Sequence, residues 1–123
     1  MLGLKVPLLA AILHNLFELA ICKNTEYGGS YCKRGELRGI IPNLDRKWDR
    51  IDRSVERLEQ GINDPTPRID SVADLLVYCA LYLQWMAVEY LDDWQKWWQR
   101  EVEDLLDKHR SIQGSVEELK KEF

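Results

Sequence analysis

Residues 69–91 constrain the fold more than any other part of this 123-residue chain. Apolar residues recur there at helical spacing on more than one face. This pattern predicts a long helix that is central to the fold or lies at a subunit interface. No segment of the chain alternates apolar and polar residues in the way that predicts a strand. The sequence therefore predicts an all-α fold.

The N-terminal segment predicts a second helix. Pro7 fits a first helical turn, apolar side chains keep helical spacing as far as Ala20, and the helix is expected to end near Asn24. Polar residues such as Glu18 interrupt the run, and no cleavage site of small residues follows. We therefore expect a buried helix rather than a signal peptide, in a segment too short and too polar to cross a membrane.

The middle of the chain predicts a loop followed by a third helix. Residues 24–41 are rich in glycine and basic side chains, and a loop of that length in a small domain is usually functional or disordered. Pro42 then opens a helix that ends at Gly61. Its predicted buried stripe is Leu44, Trp48, Ile51, Val55 and Leu58.

From Asp92 onward the chain is polar, and the three tryptophans of this segment, Trp94, Trp97 and Trp98, are predicted to be interface residues. The helical pattern continues to about His109, Gly114 breaks it, and Ser115 with Glu118 forms the capping-box signature of a short last helix. We predict a single domain, residues 1–123, built as a compact bundle of three main helices plus this short one. The apolar surface of the long helices predicts a homo-oligomer, a dimer or larger.

Charge and cysteine content narrow the function. A net charge of −4 argues against a protein that coats DNA or RNA. Residues 23–57 nevertheless hold nine Lys and Arg against six Asp and Glu, which suits a small anionic ligand. The three cysteines are odd in number and show no CxxC spacing, as expected for reduced thiols in a cytoplasmic protein.

Basic and aromatic residues predict a phosphate-bearing ligand. Lys47 and Arg50 share one face of the helix predicted from Pro42, where an ammonium group and a guanidinium group can bind phosphate. A salt-bridged surface helix would show a similar pattern. Tyr27 and Tyr31 flank glycines and could stack on a base. Lys33 and Arg34, in the loop, complete the basic set.

Acidic residues predict a metal site. Asp70 and Asp74 are spaced i, i+4, and like charges on one helical face repel unless a cation or a basic side chain lies between them. Mg²⁺ takes such oxygen ligands and bridges to phosphate. Glu18, on an otherwise apolar helix, and Glu26 are the other candidate ligands. The alternative is that these carboxylates are ordinary helix and surface charges.

Three motifs in order resemble the nucleotide modification associated domain family of bacteria and phages. They are KNTEYG at residues 23–28, Lys47 with Arg50, and Asp70 with Asp74. The resemblance spans about residues 10–90, leaves residues 91–123 outside, and implies that Lys23, Asn24 and Tyr27 contact the ligand. The family looks distantly similar to the MazG-like all-α nucleoside triphosphate pyrophosphohydrolases, which bind Mg²⁺ through paired acidic motifs. Two of those acidic positions are Asn15 and Ser71 in this chain.

The motifs predict a small nucleotide-binding protein and leave its activity open. One hypothesis is a Mg²⁺-dependent pyrophosphohydrolase-like enzyme of the cytoplasm. A second is a non-catalytic phage protein that sequesters cyclic or ADP-ribose-type nucleotide immune signals in the host cell. A third is an interaction module that uses the tryptophan-rich end. In none of these is a nucleic-acid polymer or a membrane an expected partner.

Overall fold

A computed structural model describes residues 4–110 except residue 28, and also leaves out the side chains of residues 26 and 27. These residues form helices without strands, so the all-α prediction is confirmed for the described part of the chain. The last helix predicted from Ser115 lies outside the described residues. The α-helices are α1 (Val6–Tyr27), α2 (Ile41–Glu59), α3 (Thr66–Glu89), α4 (Leu91–Trp98) and α5 (Asp104–His109).

The predicted loop at residues 24–41 is mostly helical. Helix α1 continues to Tyr27, three residues past its expected end at Asn24. A 3₁₀ turn (Ser30–Cys32) and a π-helical turn (Glu36–Ile40) follow, and the second runs directly into α2. Gly29 and Gly35 have φ of 71° and 74°, a left-handed conformation that glycine adopts without a Cβ penalty. The two glycines therefore separate the short helical pieces.

Helix α2 buries a different stripe from the one predicted. Lys47 and Ser54 are buried, whereas Trp48 is 54% exposed. Val55 and Leu58 are also exposed, so the prediction of a purely apolar stripe is wrong at these three positions. The other two predicted positions, Leu44 and Ile51, are half-buried.

The chain divides into two compact units, Leu16–Trp85 and Met1–Asn15 together with Met86–Phe123. In the first unit, Ala20 of α1 packs with Val77 and Leu81 of α3. Partly buried Leu16, Tyr31 and Tyr78 surround this core. In the second unit, α4 leads through a π-helical turn (Gln99–Glu103) into α5. Its three tryptophan rings contact one another with centroids 5.4 to 6.3 Å apart.

The apolar side chains of α1 are largely exposed, against the prediction of a buried helix. Leu13 is 50% and Phe17 is 63% exposed. By length and hydropathy, residues 6–25 and Thr66–Glu89 each qualify as a membrane-crossing helix. The expectation that the first segment was too short and too polar is therefore wrong on that criterion. Core helices and signal sequences meet the same criterion, so it does not establish a membrane location.

The core of the first unit makes a prediction about stability. Leu81 is 6% exposed and Leu37 is 86% exposed. We expect Leu81→Ala to lower the free energy of unfolding by about 2–5 kcal/mol, because the truncation removes buried apolar contacts and leaves a cavity. Leu37→Ala, the same truncation at an exposed site, should change it by less than about 0.5 kcal/mol. Urea denaturation of both variants measures the difference, and equal values would contradict this core.

Candidate anion-binding site

Side chains from three helices meet at Asp74. Lys23, near the end of α1, donates a hydrogen bond to Oδ1 of Asp74. Lys47 of α2 donates to Oδ2 at 2.5 Å. The Lys47 side chain is only 10% exposed, and that of Asp74 is 15% exposed. We call Lys23, Lys47 and Asp74 the lysine–aspartate cluster. It joins one residue from each of the three sequence motifs.

Tyr78 forms the apolar wall of this cluster. Its ring centroid lies 4.4 Å from Nζ of Lys47 and 5.4 Å from Nζ of Lys23, within the range of cation–π attraction. The Tyr31 ring meets Tyr78 edge to face, with centroids 6.2 Å apart. Two ammonium groups are thus held against one aromatic face.

Helical spacing explains why these side chains share a site. Asp74 and Tyr78 are one turn apart on α3, and Ala20 and Lys23 are one turn apart on α1. The Ala20 contact with Val77 brings α1 against α3, and this places Lys23 beside Asp74. The cluster and the apolar core therefore share the packing of α1 on α3.

The Asp74 carboxylate is ionised in the folded protein. Burial by itself raises the pKa of Asp74, but the hydrogen bonds and positive charges of Lys23 and Lys47 outweigh that effect. The net result is a pKa below the ordinary value of 3.8. The carboxylate keeps both lysines oriented toward one point.

A second polar feature lies between α2 and the start of α3. Three arginines of α2, Arg50, Arg53 and Arg57, line a cavity of about 250 Å³. They follow i, i+3, i+7 spacing and share one stripe with the buried Ser54. Buried Ser71 of α3 lines the opposite side. We call this feature the arginine cavity.

The arginine cavity also contains two carboxylates. Asp70 of α3 is exposed at its rim, and Asp64 accepts a hydrogen bond from the backbone N–H of Thr66 at 3.3 Å. Arg53 pairs with Asp49 at 2.7 Å. Arg50 and Arg57 form no ion pair with another described residue. Their guanidinium groups are the main source of positive charge in the cavity.

The predicted site residues divide into three groups. Lys23 and Lys47 meet in the lysine–aspartate cluster, and Arg50 lines the arginine cavity one turn further along α2. Asn24 is exposed at the end of α1, and Lys33 and Arg34 are exposed between the 3₁₀ and π-helical turns. The Tyr27 side chain lies outside the described residues.

The described metal-ligand candidates lie in three different surroundings. Asp74 faces two lysines, Asp70 faces the arginine cavity, and Glu18 is exposed on α1. The side chain of Glu26 is not described. In the described part of the chain, no three His, Cys, Asp or Glu side chains form a group that could hold a metal ion. Basic side chains, the second option raised by the Asp70 and Asp74 spacing, are what neutralise Asp74.

Several residues of the site were not predicted. Tyr78 lies i+4 from Asp74, a spacing that could have indicated its place beside the carboxylate. Arg57 continues the stripe of Arg50, which is visible in the sequence. The sequence does not indicate that Ser54 and Ser71 are buried, because serine is mostly found exposed. Nη1 of Arg68, in the first turns of α3, is buried without a hydrogen-bond partner among the described residues.

Another unpredicted contact fixes the π-helical turn to α3. The Tyr82 hydroxyl donates to Oε2 of Glu36 at 2.5 Å. The turn carries Ile40, which is buried and directly precedes α2. This hydrogen bond therefore helps to set where α2 starts relative to α3.

Comparison with known proteins finds a phage relative. The chain is 31% identical to the Gene 30 protein of Bacillus phage SP01 over a 104-residue alignment that covers 68% of this chain. The chain spans about half of the length of that relative, 46%. No family model matches the chain, and no solved structure matches it. The chain is thus similar to a phage protein, and the resemblance to the nucleotide modification associated domain stays a prediction.

The lysine–aspartate cluster predicts a pH-dependent contribution to stability. Asp74→Asn should lower the free energy of unfolding by about 1–3 kcal/mol near neutral pH, because it leaves two poorly solvated ammonium groups without their carboxylate. A carboxyl whose pKa is lowered by folding stabilises the protein above its unfolded pKa. The effect of the substitution should therefore shrink as the pH falls below 3.8 and through the lower folded pKa.

The control is Asp70→Asn, the same change one turn earlier at an exposed position of α3. It should alter stability by less than about 0.5 kcal/mol. Urea denaturation of both variants across acidic and neutral pH gives the comparison. An Asp74→Asn effect that does not vary with pH would contradict the proposed ion pairing.

Proposed function

We propose that this chain binds a phosphorylated nucleotide and holds it without hydrolysing it. The observation that carries the proposal is the convergence of Lys23 and Lys47 on one carboxylate beside the Tyr78 ring. Each of the three sequence motifs contributes one of these charged groups. Their meeting point is where a phosphate would find both charge and an aromatic surface.

The energetics of the cluster favour a binding role over a purely structural one. Buried ion pairs cost desolvation free energy, and replacing them by apolar residues is often neutral or stabilising. Lysine is almost never buried without a partner, and Lys47 is 8% exposed. An ammonium group has three N–H donors, and Asp74 takes one donor of Lys47. A phosphate oxygen is a strong acceptor for the others.

The aromatic residues supply a complementary surface for the base. Tyr31 and Tyr78 meet edge to face next to the lysines. Base–aromatic stacking tolerates any base, because every base has a π face. The proposal therefore extends to nucleotides as a class and does not select one base.

Binding without hydrolysis agrees better with the arrangement of the acids. Phosphoanhydride hydrolysis of the MazG-like kind uses several carboxylates around Mg²⁺. The described residues offer no such group, and Asp74 is paired with lysines. Mg²⁺-dependent hydrolysis is therefore the alternative to be tested against binding alone.

The phage relative gives the proposal a biological setting. A chain similar to a phage protein would act inside an infected bacterial cell. A binder that returns its nucleotide unchanged could sequester nucleotide immune signals there. The resemblance to the nucleotide modification associated domain family points to the same ligand class.

Exposed apolar side chains on α1 and α3 support a homo-oligomer in this proposal. Phe17 is 63% and Ile69 is 65% exposed. Monomeric soluble proteins rarely expose large contiguous apolar patches. A second copy of the chain could cover such surface.

Native mass spectrometry with a nucleotide panel tests the proposed function. We expect wild type to bind at least one of AMP, ADP, ATP, ADP-ribose or a cyclic dinucleotide. Lys47→Gln should weaken that binding at least about tenfold, because it removes a charge-assisted hydrogen bond. Ligand recovered after incubation with Mg²⁺ should be intact.

The matched control is Lys96→Gln, the same change on the exposed surface of α4. It should bind like wild type, and circular dichroism should show both variants folded. No binding by wild type, or equal binding by Lys47→Gln and wild type, would refute the proposal. Release of phosphate or pyrophosphate that depends on Mg²⁺ would refute the non-catalytic part and favour the enzyme.

A further inference from the structure

We propose that the arginine cavity binds a diphosphate group, so that the ligand is a nucleotide that carries a phosphoanhydride. This inference rests in part on the proposed function, because it places the base, and the phosphate oxygens nearest Lys47, at the lysine–aspartate cluster. The cavity itself is a separate observation, made on other residues of α2 and α3.

The cavity presents guanidinium groups in a form suited to phosphate. Arg50 and Arg57 are seven residues apart on α2, about 10 Å along the helix axis, with Ser54 between them. Two flexible arginine side chains can converge on an anion between them or grip two adjacent phosphates. Arginine binds phosphate through parallel N–H donors, which gives both strength and orientation.

The two buried serines explain why a recess exists. Ser54 is 7% and Ser71 is 5% exposed, at facing positions where larger side chains would fill the space between the helices. Their hydroxyl groups can donate to phosphate oxygens. Arg53 pairs with Asp49, so Arg50 and Arg57 are the guanidinium groups that a ligand can engage, and Asp64 accepts a hydrogen bond at the start of α3.

The volume of the cavity indicates that it holds only one part of a ligand. A volume of about 250 Å³ is below the range of about 300–1,000 Å³ that is typical of pockets for whole drug-sized molecules. A diphosphate is compact and highly charged, and fits the chemistry of the lining. Ile62 and Pro67 complete the lining and add an apolar wall beside the arginines.

The two features lie one helical turn apart on both helices. Lys47 precedes Arg50 by three residues on α2, and Ser71 precedes Asp74 by three residues on α3. That step corresponds to about 4.5 Å along each axis. A ligand with adjacent phosphates can therefore contact Lys47 and the arginine cavity together. Isolated phosphodiesters, as in a cyclic dinucleotide, do not supply adjacent phosphates.

Calorimetric titration with inorganic phosphate, inorganic pyrophosphate, AMP, ADP, ADP-ribose and a cyclic dinucleotide tests the inference. We expect wild type to bind pyrophosphate at least about tenfold more tightly than phosphate, and ADP more tightly than AMP by a similar factor. The double variant Arg50→Gln with Arg57→Gln should lose at least about tenfold in affinity for pyrophosphate.

The charge-matched control is Arg38→Gln with Arg46→Gln. Both residues are exposed and neither lines the cavity. It should stay within about threefold of wild type, since long-range charge effects are screened at physiological salt. Urea denaturation checks that both double variants fold. Equal losses in the two variants, or no preference for pyrophosphate, would overturn the inference.

The experiment separates this inference from the proposed function. Nucleotide binding that needs Lys47 but shows no preference for a diphosphate would leave the proposed function standing and overturn the inference. Pyrophosphate binding that needs Arg50 and Arg57, in a protein that binds no nucleotide, would support the cavity and refute the proposed function.

Discussion

The interaction on which the rest of the first unit depends is the pairing of Lys23 and Lys47 with Asp74. Buried charges are tolerated only where partners lie at hydrogen-bond distance, so this pairing restricts how α1, α2 and α3 can pack. Apolar contacts such as Ala20 with Val77 are not directional and would allow sliding. The cluster therefore selects one register for three helices, and this register also lines up the stripes of the arginine cavity.

Hydropathy periodicity predicts α1, α2 and α3, but neither the break at Tyr90 between α3 and α4 nor the faces that the helices bury. The bounds of α2 agree with Pro42 and Gly61, because those residues act locally. Helix α1 is apolar on several faces, and such a pattern contains no information on which face packs inward. Trp48 is exposed and Lys47 is buried because tertiary ion pairing outweighs the hydropathy of single residues.

The site was predicted residue by residue but not in its chemical form. Lys23 and Lys47 were assigned to phosphate and Asp74 to a metal, yet they form one cluster. The lysines lie 51 and 27 residues from Asp74 in the chain, and no local pattern reveals which of two neutralising partners a carboxylate meets. The cavity was missed for a different reason. It results from serines 54 and 71 facing each other, and a void between helices is a property of packing.

The carboxylate at the centre of the site gives the proposed binder two properties. The folded protein already holds the two ammonium groups together, so an arriving phosphate meets donors that are oriented in advance. The same carboxylate competes for those donors. A singly charged anion gains little by displacing it, whereas a phosphate that also reaches Arg50 gains a second set of charge-assisted hydrogen bonds. In the proposed binder, Asp74 would favour multiply charged ligands by competing with simple anions for the lysine donors.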